Sequence, residues 1–325
     1  IPQFERITVG ARELNLLVRL SGTDEAPTER PPLDLAVVID RSGSMSGEKI
    51  RAVKQAALQL LDRLSAEDRV TLVSYSSDVK NHTTLVTADD RGKAVLRNAL
   101  LSLDSGGMTA LGPALVRALD DLEKGDRSGR RMGHVLLMSD GIANVGETRG
   151  QVLGARAAQG FTRGVSVSTL GVGLDYNEDL MTRLADQGGG RYHFIKDGAA
   201  VAGVLSEELN GLVATVARSV ELQFKTAPGA HVAKVHGYPV VQDGNLSKIR
   251  IGALGAKQVR EVIIKVALDG AGAPRVDLGA FTLNFEDVVA DGRPTQIDLP
   301  VGFAATADAA DAQASERQEV TVRVA

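Results

Sequence analysis

Between residues 33 and 218, short apolar runs alternate with stretches in which apolar residues recur every three to four positions. Leu35-Ala36-Val37-Val38-Ile39 has no polar break, the pattern of a strand buried on both faces. It ends at Asp40, a Ser/Gly-rich loop follows, and after Glu48 the residues Ile50, Val53, Ala57, Leu60, Leu61 and Leu64 share one helical face. The alternation continues with strands at Arg69–Tyr75, Lys80–Val86, His134–Ser139, Val165–Gly171 and Arg191–Ile195. Helices are read at Lys93–Leu101, Ala110–Leu122, Gln151–Gln159, Glu178–Gln187 and Val201–Val216. This order predicts an α/β fold, a doubly wound and mostly parallel sheet with helices on both faces.

From Ser219 the texture changes. Val220–Phe224, Leu246–Ile251, Val259–Leu268, Val276–Leu283 and Val320–Val324 read as strands separated by Gly, Pro and Asp turns, with no helical period. That pattern predicts an antiparallel β-sandwich. Residues 303–317 are Ala/Asp-rich and read as a long loop. Two apolar stretches, Ile7–Val9 and Leu14–Leu20, precede a linker rich in Pro and charge at 21–32. An isolated hairpin is only marginally stable, so these strands are expected to complete the sandwich. The predicted organisation is N-terminal strands and linker at 1–32, an inserted α/β domain at 33–218, and a β-sandwich domain at 219–325.

A length of 325 residues, 43% of them hydrophobic, is enough for two cores. Aromatics make up 3% with no Trp, so stacking platforms for bases or sugars are not expected. A formal net charge of −4 gives no footprint for nucleic acid or anionic membrane. The one basic cluster, Arg127 to Arg131, reads as a solvated turn. The absence of Cys excludes disulfides, thiolate catalysis and thiolate metal sites. No apolar run approaches the ~20 residues of a membrane-spanning helix. No leader is visible, so the expected compartment is the cytoplasm, with periplasm or cell surface as the alternative if one has been trimmed before Ile1.

The candidate chemistry lies in the loop after the first buried strand. Asp40, Ser42 and Ser44 are two residues apart, which in extended backbone points all three side chains to one side. One carboxylate and two hydroxyls are hard oxygen donors, a partial cage for a hard divalent cation. Asp40-Arg41-Ser42-Gly43-Ser44 resembles the first motif of the metal-ion-dependent adhesion site of von Willebrand factor type A domains. That family completes its site with a Thr and an Asp from two further loops. The run Ser105 to Leu111 offers Thr109, and Val135 to Gly141 offers Asp140, in the matching order.

The resemblance spans roughly Leu33 to Arg218. It implies a sheet with its first and fourth strands side by side at the centre, bringing Asp40 and Asp140 together at the topological switch point. It further implies Mg²⁺, with Ca²⁺ or Mn²⁺ as alternatives, under Ser42, Ser44 and Thr109, and charge balance from Asp40 and Asp140. One position stays open for an Asp or Glu of a partner protein. Ala143 to Glu147, Val167 to Gly173, and Gly188–Gly190 before Tyr192-His193-Phe194 resemble a bacterial branch. Its members are homologous to inter-alpha-trypsin inhibitor heavy chains and Ca-activated chloride channels. Type A domains also occur beside AAA+ ATPases, so the alternative is a scaffold in which the metal is a structural staple.

Blander roles exist for the same residues. Ser44 and Thr109 are suited to capping helices. Asp140 before Gly141 suits a turn. Arg41 is read as a solvated rim residue, and Met45 and Met108 as packing, since thioethers are soft and the cation is hard. His82, His134, His193, His231 and His236 form no HxH or HxxxH pair, so zinc is not expected. A phosphatase of the aspartyl-nucleophile type needs a second Asp where Ser42 stands. The nearest approach to a serine-hydrolase elbow, Gly43 to Gly47, carries Met at the nucleophile position. Gly171 to Tyr176 lacks the last Gly of a dinucleotide loop, and no P-loop is present. The expectation is a metal-dependent adhesion or adaptor module rather than an enzyme.

Overall fold

The computed structural model describes residues 6–8, 13–24, 30–125, 131–173, 176–196, 198–269, 275–290, 292–306 and 322–324. The chain forms two compact units, Pro31–Val213 and the pair Ile1–Arg30 with Ala214–Ala325. Two strands open it, β1 (Arg6–Thr8) and β2 (Glu13–Gly22).

The α/β unit follows as β3 (Leu33–Asp40), α1 (Glu48–Arg63), β4 (Arg69–Tyr75), β5 (Val79–Thr87), α2 (Asp90–Leu101) and α3 (Leu111–Glu123). It continues with β6 (Met132–Ser139), α4 (Gly150–Thr162), β7 (Val165–Val172), α5 (Glu178–Gln187), β8 (Gly189–Ile195) and α6 (Val201–Val213). Its sheet runs β5-β4-β3-β6-β7-β8. All pairings are parallel except β4 with β5. Every residue of β3 and β6 is buried, which is why both read as unbroken apolar runs. Ala36, Val38, Val135 and Leu137 pack on one face against Leu111, Leu115, Leu119 and Leu153 of α3 and α4. The register pairs Ile39 with Met138, so the residues just beyond, Asp40 and Asp140, leave the sheet side by side.

At the opposite end of β3, the buried Asp34 accepts two bonds from Arg69, Nε at 2.8 Å and Nη2 at 2.6 Å, and one from Arg131 Nε at 2.8 Å. Arg131 therefore does not belong to a solvated turn. It lies 15% exposed against a buried carboxylate that it shares with Arg69. Residues 127–130 lie outside the described residues.

The second unit adds β9 (Thr215–Thr226), β10 (Ala230–His236), β11 (Val240–Asp243) and β12 (Leu246–Gly255). Then come β13 (Val259–Leu268), β14 (Arg275–Asp287), β15 (Arg293–Thr306) and β16 (Val322–Val324). One sheet is ordered β1-β15-β14-β9-β12-β11 and the other β10-β13-β2-β16. The pairings are antiparallel apart from the short β1–β15 and β16–β2 edges. Leu16, Val18 and Leu20 of β2 share a core with Phe224, Ile249, Ile264 and Phe281, and the Phe224 and Phe281 rings stack at 4.3 Å.

Three sequence expectations change. The helix read as Val201–Val216 ends at Val213, and Thr215 onward enters β9. Val216 continues the three-to-four-residue spacing of Leu205, Leu209 and Leu212, so periodicity alone does not separate it from the helix. Phe303–Thr306 belongs to β15 rather than a loop, and the remainder of that stretch lies outside the described residues. Strands β10 and β11 and most of β15 are additional to those expected. Of the first and last expected strands, Val9, Val320 and Thr321 lie outside the described residues.

Candidate metal centre

Beyond β3 the backbone makes a short 3-10 turn at Gly43–Met45. The turn is pinned to the loop before α3 by Gly43 N–H donating to Gly107 O at 3.0 Å and Gly106 N–H donating to Arg41 O at 2.7 Å. Gly107 has a left-handed φ of +85°, and a Cβ there would stand 2.8 Å from Ser77 Oγ, so a larger residue would push the loops apart. Thr109 is held from both sides. Its N–H donates to Asn144 Oδ1 at 2.9 Å, and Asn144 N–H returns a bond to Thr109 O at 3.1 Å.

The side chains named from the sequence converge. Ser42 N–H and Ser139 Oγ donate to Asp40 at 2.8 and 2.7 Å, one to each carboxylate oxygen. Ser42 Oγ lies 3.0 Å from Ser44 Oγ, and Ser44 Oγ donates to Asp140 Oδ1 at 2.7 Å. Lys49 Nζ donates to Asp140 Oδ2 at 2.5 Å. A Cβ built on Gly141 would stand 3.2 Å from Thr109 Oγ1 and 3.4 Å from Ser44 Oγ, so the glycine leaves clear the point on which these hydroxyls close. Asp40, Asp140, Ser42 and Thr109 are buried, while Ser44 is exposed and opens the cluster to solvent.

Burial raises the Asp40 carboxyl above the ordinary value; the Ser139 and Ser42 bonds oppose the rise and the Asp140 charge adds to it. Tyr75, buried alongside and donating to Met138 O at 3.0 Å, is raised well above its usual value by burial and then by the Asp40 charge. Two carboxylates in one buried pocket are costly unless something positive faces them.

The capping roles do not fit. The residue preceding α1 is Gly47 and that preceding α3 is Ala110, and neither end has a side-chain cap bond. Met45 is fully buried packing, but Met108, beside Thr109, is 53% exposed. Ile142, two residues past Asp140, is 60% exposed, giving the mouth two apolar neighbours. Arg41 is not simply solvated, since its Nη2 meets Asp78 at 2.5 Å. Three participants were not expected from sequence: Ser139, Asn144 and Lys49. Lys49 carried a signal, because a cation in the first turn of a helix opposes the helix dipole and calls for a specific partner.

The donors are all oxygens, hydroxyls from Ser42, Ser44 and Thr109 and carboxylates from Asp40 and Asp140, and two of the hydroxyls, Ser44 Oγ and Thr109 Oγ1, border the point a methyl group on Gly141 would fill. This chemistry fits a hard divalent cation with water completing its shell. Among the described residues no group of three or more His, Asp or Glu side chains could hold a metal ion. Hydroxyls make up most of the donor set here.

An open doubly wound sheet with oxygen-bearing side chains gathered at the carboxyl ends of its central strands defines an α/β domain of the Rossmann-like class. The chain belongs to the von Willebrand factor type A domain family, which its residues 34–207 match, and domains of this family commonly mediate protein binding or adhesion. It is 30% identical over 263 residues to the uncharacterized protein YfbK of Escherichia coli, covering 78% of this chain and 45% of that protein. It is 28% identical over 201 residues to inter-alpha-trypsin inhibitor heavy chain H2 of Sus scrofa, covering 60% of this chain and 22% of that one. The chain thus spans less than half the length of either relative. A solved von Willebrand factor type A protein from Catenulispora acidiphila has the same fold, with a TM-score of 0.79 at 21% identity over 96% of this chain and 74% of the other.

Proposed function

We propose that the Pro31–Val213 unit is a cation-dependent recognition module that takes an acidic side chain from a partner protein. The observation that supports this most is the open point at Gly141, which Ser44 Oγ and Thr109 Oγ1 approach at 3.4 and 3.2 Å while Asp140 is tied to Ser44. A divalent cation bound there, Mg²⁺ or alternatively Ca²⁺ or Mn²⁺, supplies an electrophilic centre for a carboxylate. Ser42, Ser44 and Thr109 would hold it with neutral oxygens, which leaves it short of negative charge and receptive to an incoming Asp or Glu. Asp40, held by Ser139 and Ser42, fixes the orientation of the loop and offsets part of the charge. The exposed Met108 and Ile142 at the mouth suit a partner whose acidic residue is flanked by an apolar one.

The experiment is calorimetric titration of the full chain with MgCl₂, CaCl₂ and MnCl₂, repeated on Asp40→Ala, with circular dichroism to check folding. Saturable one-site binding that Asp40→Ala abolishes supports the reading. No binding of any of the three ions at millimolar concentration, or equal binding by a folded Asp40→Ala, overturns it.

A further inference from the structure

Lys49 is the one cation in direct contact with the cluster among the described residues. Its Nζ meets Asp140 Oδ2 at 2.5 Å, with Asp140 fully buried and the lysine side chain 31% exposed. Two features say that this contact is built rather than incidental. Lys49 is the second residue of α1, in a first turn that also holds Glu48 and Arg51, where the helix dipole disfavours a positive charge. Space for the ammonium is reserved by Gly173 at the end of β7. That residue has a left-handed φ of +91°, and a Cβ there would stand 3.1 Å from Nζ and 3.2 Å from Cε.

Resting on the cation-dependent function above, we propose that Lys49 sets the charge of the loaded site, loosening its hold on the divalent cation while strengthening its hold on the partner's carboxylate. Asp40 and Asp140 against Lys49 leave one net negative charge, which a dication converts to one net positive charge. With a neutral side chain at 49, the same residues and dication sum to zero, and the pull on an incoming anion is weaker. Half of the Asp140 carboxylate is also engaged by the ammonium, so only Oδ1, shared with Ser44, faces the donors of the candidate site. One residue therefore acts with opposite sign on the two binding steps, which no purely structural role predicts. Lys49 is in this sense a specificity-determining residue: it selects an anionic ligand over a neutral oxygen donor.

The test uses the full chain, with Mn²⁺ as the metal probe and acetate as the carboxylate probe. Mn²⁺ affinity is measured by electron paramagnetic resonance. Acetate affinity is measured by the loss of water proton relaxation as it displaces water from protein-bound Mn²⁺. Lys49→Met is expected to bind Mn²⁺ at least about tenfold more tightly, and acetate at least about threefold more weakly, than the unsubstituted chain. Lys49→Arg, which keeps the charge, is expected to stay within about twofold on both. If Lys49→Met does not fold, Lys49→Gln, which keeps a donor for Asp140, takes its place with the same expectations. Mn²⁺ and acetate affinities that are both unchanged, or that shift in the same direction, overturn the proposal. A chain that binds no Mn²⁺ before substitution refutes instead the cation-dependent function on which it rests.

Discussion

Glu208 on α6 is a heavily engaged buried carboxylate away from the candidate site, and its removal gives a sharp prediction. It is 1% exposed and joins α6 to three strands. Ser168 Oγ of β7 donates at 2.9 Å, and Arg191 Nε and His193 Nε2 of β8 stand at 2.7 and 2.5 Å. His134 Nε2 of β6 is 3.6 Å away, too long for a hydrogen bond but close enough to interact with its charge. Glu208→Ala removes the acceptor for three donors at once. Breaking a buried pair by deleting one partner costs about 3–5 kcal/mol. Arg191 is 33% exposed and rehydrates, which places the expected loss near about 3 kcal/mol. For a domain of this size that corresponds to a fall of about 6–12 °C in Tm. The sign of the pH dependence follows from the carboxyl itself. Burial pushes the Glu208 carboxyl up, but His134, His193 and Arg191 pull it back well below the ordinary value of 4.5. A carboxylate depressed in the folded state contributes stability above its unfolded value and loses it as pH falls toward the folded one. The difference between the unsubstituted chain and Glu208→Ala is therefore full at pH 7 and shrinks below about pH 4.5. Urea unfolding followed by circular dichroism at 222 nm reports on the right unit, because the helices of the described residues all lie in Pro31–Val213. A loss below about 1 kcal/mol at pH 7, or a difference unchanged between pH 7 and pH 3, refutes the reasoning.

Three further outcomes are expected. Asp34→Ala strips Arg69 and Arg131 of their common carboxylate and should cost about 3–5 kcal/mol in the same urea assay; a loss under about 1 kcal/mol would mean both arginines find water instead. Gly141→Ala is free of left-handed backbone strain, so metal-free stability should change by less than about 1 kcal/mol, while Mg²⁺ affinity in calorimetry should fall at least about tenfold as the Cβ enters the space beside Thr109 Oγ1 and Ser44 Oγ. Undiminished Mg²⁺ binding by that variant would show that the cation, if bound, lies elsewhere. Phe224→Ala removes a fully buried ring stacked on Phe281 and should lower the stability of the β-sandwich by about 3–5 kcal/mol, read as the 215 nm transition in urea; a smaller shift than about 2 kcal/mol would mean that the sandwich core collapses around the void.

How much of this was legible in the sequence depended on how many faces of each element are covered. β3 and β6 are buried on both faces, so their apolar runs are unbroken and their abrupt ends at Asp40 and at Ser139-Asp140 stand out. Those ends carry the candidate site, and five of its side chains could be named from short motifs because each sits within a few residues of a strand end or helix start. The strands that escaped notice are covered on one face or none. β11 is exposed at all four positions, and β10 interleaves Lys234 and His231 with valines. β15 carries Pro294 and Pro300, which usually argue against a strand. β11 pairs with β12 across the two-residue Gly244-Asn245 turn and β15 with β14 across a short connection, so both are local hairpins, whereas β10 takes its neighbour, β13, from a more distant segment.

The same distinction separates the ligand candidates from the groups that set their charge. Asp40, Ser42 and Ser44 fall on one side of a loop through local geometry alone. Lys49 and Asp140 are 91 residues apart, and Ser139 and Asp40 are 99 apart. Neither pairing exists until β3 and β6 are laid side by side. A motif therefore specifies which oxygens face the site, while the sheet register decides how much negative charge they bring. For a site whose proposed task is to leave a cation receptive to someone else's carboxylate, the second quantity governs the outcome. That is why Lys49, the residue proposed to set this charge, lies outside every motif and shows itself only as a positive charge placed where a helix disfavours one.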